Sequence, residues 1–234
     1  MIAALLAAAV CAHAAGRPVR FKSDDGWTIA AVYSPPRRGR PTAIMVHGVA
    51  AGHGEYDAFS STLQAHGWGT LALDLRGHGG STAGPRGKQT FMSFDASGEW
   101  PHAVYDVLAA RRFLAGLGVK ERSTVLIGAS IGANLCARAF AAMPNVRRLV
   151  LLSPGFDYRG VTLPARGPSG VIAAASPGDP YAAATLEALR KSWPSLTALS
   201  ARSGHGAQMF SDPAFVRALL RALTVPKLIG ILRR

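Results

Sequence analysis

Val125-Leu126-Ile127-Gly128-Ala129-Ser130-Ile131-Gly132-Ala133 is the stretch whose reading decides the fold. Three apolar residues of the buried-strand type run into Gly128, and a helical pattern begins at Ile131, so a strand turns sharply into a helix with Ser130 at the turn. Gly128 and Gly132 stand two residues before and after the serine, the G-x-S-x-G nucleophile-elbow pattern. In so tight a turn, side chains at those two positions would collide with neighbouring backbone. The turn lifts the serine hydroxyl clear of the sheet and sets it at the N-terminus of the next helix, where backbone N–H groups have no helical partner. Small residues cluster by chance in an Ala/Gly-rich chain, and a plain turn capped by Ser is the bland alternative. The strand before and the helix after are the context that favours an exposed nucleophile.

Outward from this turn, short apolar runs alternate with helical patterns. Strands are expected over 43–46, 70–73, 125–127, 149–152, 171–175 and 196–200, and helices over 56–66, 100–117, 131–142, 181–191 and 214–223. Two further strands, 19–22 and 27–33, flank the turn Ser23-Asp24-Asp25-Gly26 and read as a hairpin. Such alternation indicates βαβ units and an α/β architecture: a mostly parallel sheet with helices on both faces, edged by the antiparallel hairpin. In open α/β sheets ligands gather beyond the carboxyl ends of the strands, so chemistry is expected just after each strand.

Four stretches occur there in an informative order: Met45-Val46-His47-Gly48, Leu73-Asp74-Leu75-Arg76-Gly77-His78-Gly79, Gly128-Ala129-Ser130-Ile131-Gly132, and Gly204-His205-Gly206. Together they make the chain resemble the α/β-hydrolases from near Val19 to its end. It is most similar to small bacterial esterases of the dienelactone-hydrolase-like and serine-aminopeptidase-like (monoglyceride-lipase-like) groups. The resemblance implies a Ser-His-Asp triad. It implies one oxyanion donor from the residue after the His-Gly pair, which maps onto the Val49 N–H, and another from the residue after the nucleophile, Ile131. His47 itself is read as a residue that orders its loop, and Asp74, Arg76 and His78 as architectural.

The base should follow the serine and the acid in chain order. His205 is the only histidine beyond Ser130, and its flanking glycines let a loop bring the ring to the serine. For the acid, Asp179 follows the strand 171–175 in Ser176-Pro177-Gly178-Asp179-Pro180, the family's usual position. Asp179-Pro180 also reads as a helix N-cap with Pro at the first helical position. Asp157, after the preceding strand, is the rival, and Arg159 could pair with it. Asp212 lies too near the last helix cap to be attractive. The segment 153–170 is short and carries Pro164, Gly167, Pro168 and Gly170, so no full helical lid fits there and an open site is expected.

Length and composition suit one globular domain over 16–234: 234 residues, 49% hydrophobic and 17% charged, enough apolar material for a substantial core. The formal charge of +13, from 26 Lys and Arg against 13 Asp and Glu, favours a loose attraction to anionic surfaces. The basic residues form no arm and no pattern interleaved with aromatics, so nucleic acid is not an expected partner. No Cys/His spacing and no carboxylate pattern suggests a metal, and no cofactor is expected. The apolar run 2–12, followed by Ala12-His13-Ala14, reads as a signal peptide over 1–15 and a secreted or periplasmic protein. No Lys or Arg precedes the run, which leaves a cytoplasmic protein as the alternative, and Val10 before Cys11 fits a lipidation site poorly. With Cys11 removed, Cys136 would stand alone as a small buried residue.

The expectation is therefore a serine hydrolase acting on carboxylic esters or related acyl compounds, with a small-molecule substrate. A peptidase or amidase of the same fold, or a binding protein on a hydrolase scaffold, are the alternatives.

Overall fold

A computed structural model describes residues 16–224 of the chain. The expected signal peptide over 1–15 and the last residues of the expected domain lie outside the described residues.

Eight strands form one sheet: β1 (Arg17–Lys22), β2 (Thr28–Ser34), β3 (Thr42–Val46), β4 (Gly69–Leu73), β5 (Thr124–Ala129), β6 (Arg148–Leu152), β7 (Val171–Ala175) and β8 (Thr197–Ser200). Their spatial order is β1-β2-β4-β3-β5-β6-β7-β8. β1 pairs antiparallel with β2, and β2 antiparallel with β4; the rest are parallel. The hairpin of the sequence reading is the antiparallel edge. β3 to β7 are buried along their whole lengths, because helices cover both faces and leave no solvent-facing alternation.

Five helices pack on the sheet: α1 (Asp57–Ala65), α2 (Val104–Gly116), α3 (Ile131–Phe140), α4 (Pro180–Ser192) and α5 (Pro213–Thr224). Two apolar clusters result, one on each face. Trp27, Phe94, Trp100, Val107, Leu114 and Leu135 lie in one. Phe59, Leu63, Met209, Phe215 and Leu219 lie in the other. The expected helix 100–117 is divided. Its first turn, Trp100–Ala103, is a 3₁₀ helix with Pro101 inside it, and the α-helix begins at Val104. The expected helix 131–142 stops at Phe140, before Pro144.

The segment between β4 and α2 is held by charge. Arg76 is fully buried, and its guanidinium meets Asp25 at 2.6 Å, Glu99 at 2.6 Å and Asp106 at 2.7 Å. A buried guanidinium needs such partners, because each ion removed from water alone is strongly disfavoured. Asp74 accepts from the amides of His53 and Gly80. Burial opposes its charge, but these bonds hold its carboxyl below the usual range. Asp74, Arg76 and His78 are all buried and tie this segment to its neighbours, as the architectural reading expected.

Candidate active site

Ser130 sits between β5 and α3 with φ 55° and ψ −125°, a left-handed conformation that a side chain adopts only at a cost of about 1–3 kcal/mol. The surroundings impose it. The Ser130 amide donates to the Leu152 carbonyl at 2.8 Å, and its own carbonyl accepts from Ala133. A Cβ at Gly128 would stand 2.2 Å from the Gly132 oxygen, and one at Gly132 would stand 2.3 Å from the Val46 oxygen. Both glycines are required by close backbone approach, for the reason the sequence predicted.

On the β3 side of Ser130 lies the loop His47-Gly48-Val49. A Cβ at Gly48 would be 3.2 Å from Ser130 Cβ, so this loop passes directly beside the nucleophile position. His47 is fully buried. Its Nε2 accepts from the Leu75 amide at 2.9 Å, so Nδ1 carries the proton and donates to the Gly48 carbonyl at 2.6 Å. Burial pushes its pKa down to about 4, which keeps the ring neutral and makes it a brace for the loop. Val49 follows at the loop's start, and Ile131 opens α3, where first-turn amides lack helical acceptors.

Glu55 lies under the same loop and accepts from the Gly48 amide at 3.3 Å. Burial raises its pKa to about 7, with the Gly48 bond only partly opposing. The folded state therefore holds this proton more tightly than the unfolded chain does. The stability it contributes is present below the ordinary glutamate range and is lost as pH rises through about 7. Wild type should thus lose about 2 kcal/mol more stability than Glu55→Gln between pH 4 and pH 8, a figure discounted for the group's partial exposure. Denaturant titrations of both proteins at the two pH values measure it, and parallel pH dependence would show that Glu55 does not titrate in this window.

On the β6 side lies the loop Gly204-His205-Gly206. Ser176 Oγ donates to the Gly204 carbonyl at 2.7 Å, and the Gly206 amide donates to Ser153 Oγ at 2.9 Å. A Cβ on Gly206 would stand 3.0 Å from Ala129 Cβ and 3.7 Å from the Ser130 amide, so the loop is docked against the elbow. His205 Nδ1 lies 2.6 Å from Asp179 Oδ2. That pairing places the proton on Nδ1 and leaves Nε2 as a free acceptor. The other Asp179 oxygen, Oδ1, accepts from the Ala182 amide at 3.2 Å and caps α4, with Pro180 at the first helical position. Asp179 thus pairs with His205 and caps α4 at once, through different oxygens.

Asp157 does not approach His205. Its carboxylate is exposed and accepts from the Gly160 amide at 2.7 Å within its own turn. Arg159 does not pair with it either; the guanidinium is bound to Asp95 and lies over the Trp100 ring. Asp212 caps α5 through the Ala214 amide.

Three residues near the site escaped the sequence reading. Ser153, at φ 49°, directly follows β6 and is fully buried. Its hydroxyl holds Gly206, and its carbonyl accepts from the Tyr158 hydroxyl at 3.2 Å. Tyr158 lies beside the Ser130 side chain and interacts with it, and its ring meets the His205 ring edge to face at 6.4 Å. Asn134, on α3, donates to the carbonyls of Gly155 (2.8 Å) and Val161 (2.7 Å), fixing the short hairpin Asp157–Tyr158/Val161–Thr162. No local pattern marks these three, since each acts through partners distant in sequence. Residues 153–170 contain no helix, in keeping with the expected lack of a helical lid.

A sequence model of the family described as serine aminopeptidase, S33, matches residues 38–224. No curated protein sequence matches significantly. Among solved structures, an esterase of Pyrococcus furiosus is similar with a TM-score of 0.70 at 16% identity, covering 91% of this chain and 93% of that one. An esterase of Exiguobacterium antarcticum has a TM-score of 0.69 at 12% identity, with 89% and 100% covered. A dienelactone hydrolase of Anabaena variabilis has 0.60 at 16%, with 88% and 94% covered. At these identities the structural likenesses establish the fold.

Proposed function

Since the chain belongs to the serine aminopeptidase S33 family of α/β-hydrolases, we propose that it cleaves carboxylic esters or related acyl compounds through an acyl-enzyme on Ser130. The observation that carries this reading is the 2.6 Å pair between His205 and Asp179, delivered by a glycine-flanked loop to the elbow that holds Ser130. His205 Nε2 takes the Ser130 proton as Oγ attacks the carbonyl carbon. Asp179 keeps the imidazole in the required tautomer and stabilises the imidazolium. In this reading the Val49 and Ile131 amides are the donors to the developing oxyanion. His205 returns the proton to the leaving alcohol, then activates the water that releases the acid.

The family description favours a second reading, an aminopeptidase using the same residues on an aminoacyl amide. A panel of short-chain esters and aminoacyl anilides, assayed on purified protein, separates the two. Higher kcat/KM on the esters is expected; turnover of anilides with no ester cleaved would replace the esterase reading by the peptidase one.

A further inference from the structure

We propose that the hairpin 157–162 is a fixed subsite for the alcohol half of the substrate, in which Tyr158 donates a hydrogen bond to the leaving oxygen and Phe156 and Tyr181 bind an aromatic alcohol group. The inference rests on the esterase reading of the same site.

The topology sets which half of the substrate this hairpin meets. β3 and β6 flank β5 on opposite sides. The loop carrying Gly48 and Val49 follows β3, so the oxyanion lies towards that side. The hairpin follows β6, on the side where Ser153 anchors the His205 loop. In ester cleavage His205 hands its proton to the leaving oxygen, so that oxygen lies on the His205 side, next to Tyr158. Oγ of Ser130 forms its bond to the carbonyl carbon, the bond from that carbon to the alkoxy oxygen breaks, and the proton taken from Oγ leaves on the alcohol. Tyr158 supplies no proton in this sequence; it donates a hydrogen bond to the oxygen on which negative charge grows.

Tyr158 is equipped for that role. Burial, with Asp179 adding, pushes its pKa up to about 12, so the phenol is a donor throughout the neutral range. Its hydroxyl is hydrogen-bonded to the Ser130 side chain, which sets it beside the reacting atoms, and its own proton goes to the Ser153 carbonyl at 3.2 Å, long for an O–H donor and readily exchanged for a better acceptor. The hairpin is held from every side, so the hydroxyl is presented rather than mobile. Asn134 grips Gly155 and Val161. Arg159 joins Asp95. The Tyr181 hydroxyl both accepts from the Asp157 amide and donates to the Asp157 carbonyl, at 3.0 and 2.9 Å.

The aromatic rim points to the class of alcohol. Phe156 and Tyr181 are among the few large apolar side chains left exposed, at 48% and 42%, and their rings meet at 6.2 Å. Tyr158 meets Tyr181 at 5.5 Å. Gly155 lies between the Tyr158 and Tyr181 rings, and a Cβ there would stand 2.6 Å from each. Edge-to-face surfaces of this kind favour another aromatic ring over a saturated one of the same size.

The test compares benzyl acetate with cyclohexylmethyl acetate, which share an acyl group and have primary alcohols of similar acidity. Wild type should prefer the benzyl ester by roughly three- to tenfold in kcat/KM. Tyr181→Leu should remove that preference. Tyr158→Phe should keep the preference but lower kcat on both esters about tenfold. In all three proteins a fluorophosphonate, which expels fluoride in place of an alcohol, should still add to Ser130, which shows that each variant is folded. Binding of benzyl alcohol and cyclohexylmethanol to Ser130→Ala, followed by ligand-observed NMR, tests the subsite without turnover. Preference for benzyl alcohol there, lost in Ser130→Ala/Tyr181→Leu, supports the subsite even if no ester is cleaved, an outcome that would count against the esterase reading alone. Equal binding of the two alcohols, or unchanged kcat in Tyr158→Phe, would overturn the proposal.

Discussion

Ser130→Ala is expected to abolish both fluorophosphonate labelling and ester turnover, with kcat falling by up to about 10⁶, the scale set by removing a serine nucleophile from a triad that acts as a unit. The fold should survive. The Ser130 amide and carbonyl make the bonds that shape the elbow, to Leu152 and from Ala133, and both persist in the variant. Alanine at φ 55° carries much the same backbone strain as serine. Intact-mass spectrometry after probe treatment, paired with thermal unfolding, reads both halves. A probe adduct on Ser130→Ala would place the nucleophile elsewhere.

Asp179→Asn is expected to reduce kcat by up to about 10⁴, because an amide opposite Nδ1 can present its NH2 group and favour the wrong imidazole tautomer. The 2.6 Å contact between Asp179 Oδ2 and His205 Nδ1 makes the rate sensitive to this one atom. Stability should change little, since Asn caps helices about as well as Asp and can still accept from Ala182. Asp157→Asn should leave kcat within about twofold, because its carboxylate serves only the Gly160 turn. Steady-state kinetics with chemical denaturation on the two variants separates a tautomer effect from a lost cap. Near-normal kcat in Asp179→Asn would remove Asp179 from the triad.

The two variants also mark where sequence reasoning reached its limit. The elbow was legible because its causes are local: an apolar strand, two glycines forced by backbone contact, and a helix start lie within nine residues. The α/β alternation was legible for the same reason, and the strands buried on both faces read as continuous apolar runs. His205 was legible by elimination, as the one histidine after Ser130. The helix 100–117 was read one turn too long because a 3₁₀ turn through Pro101 keeps nearly the same apolar spacing as the α-helix after it.

The sequence by itself thus determined the fold class, the candidate nucleophile and the candidate base. It favoured Asp179 over Asp157 as the acid, on its place in chain order and its glycine and proline neighbours, but both follow strands and the distance to the imidazole is not written in either stretch. The tertiary structure brings Asp179, and not Asp157, beside the imidazole. β7 lies beside β8, so the loop after β7 meets the loop after β8, while Asp157 is drawn into a hairpin fastened by Asn134. Tertiary structure alone also brought Tyr158 and Ser153 to the elbow. A side-chain bond between segments 26 or 53 residues apart depends on strand order and register. Those are set by how all the apolar faces bury together, and no window of sequence contains them.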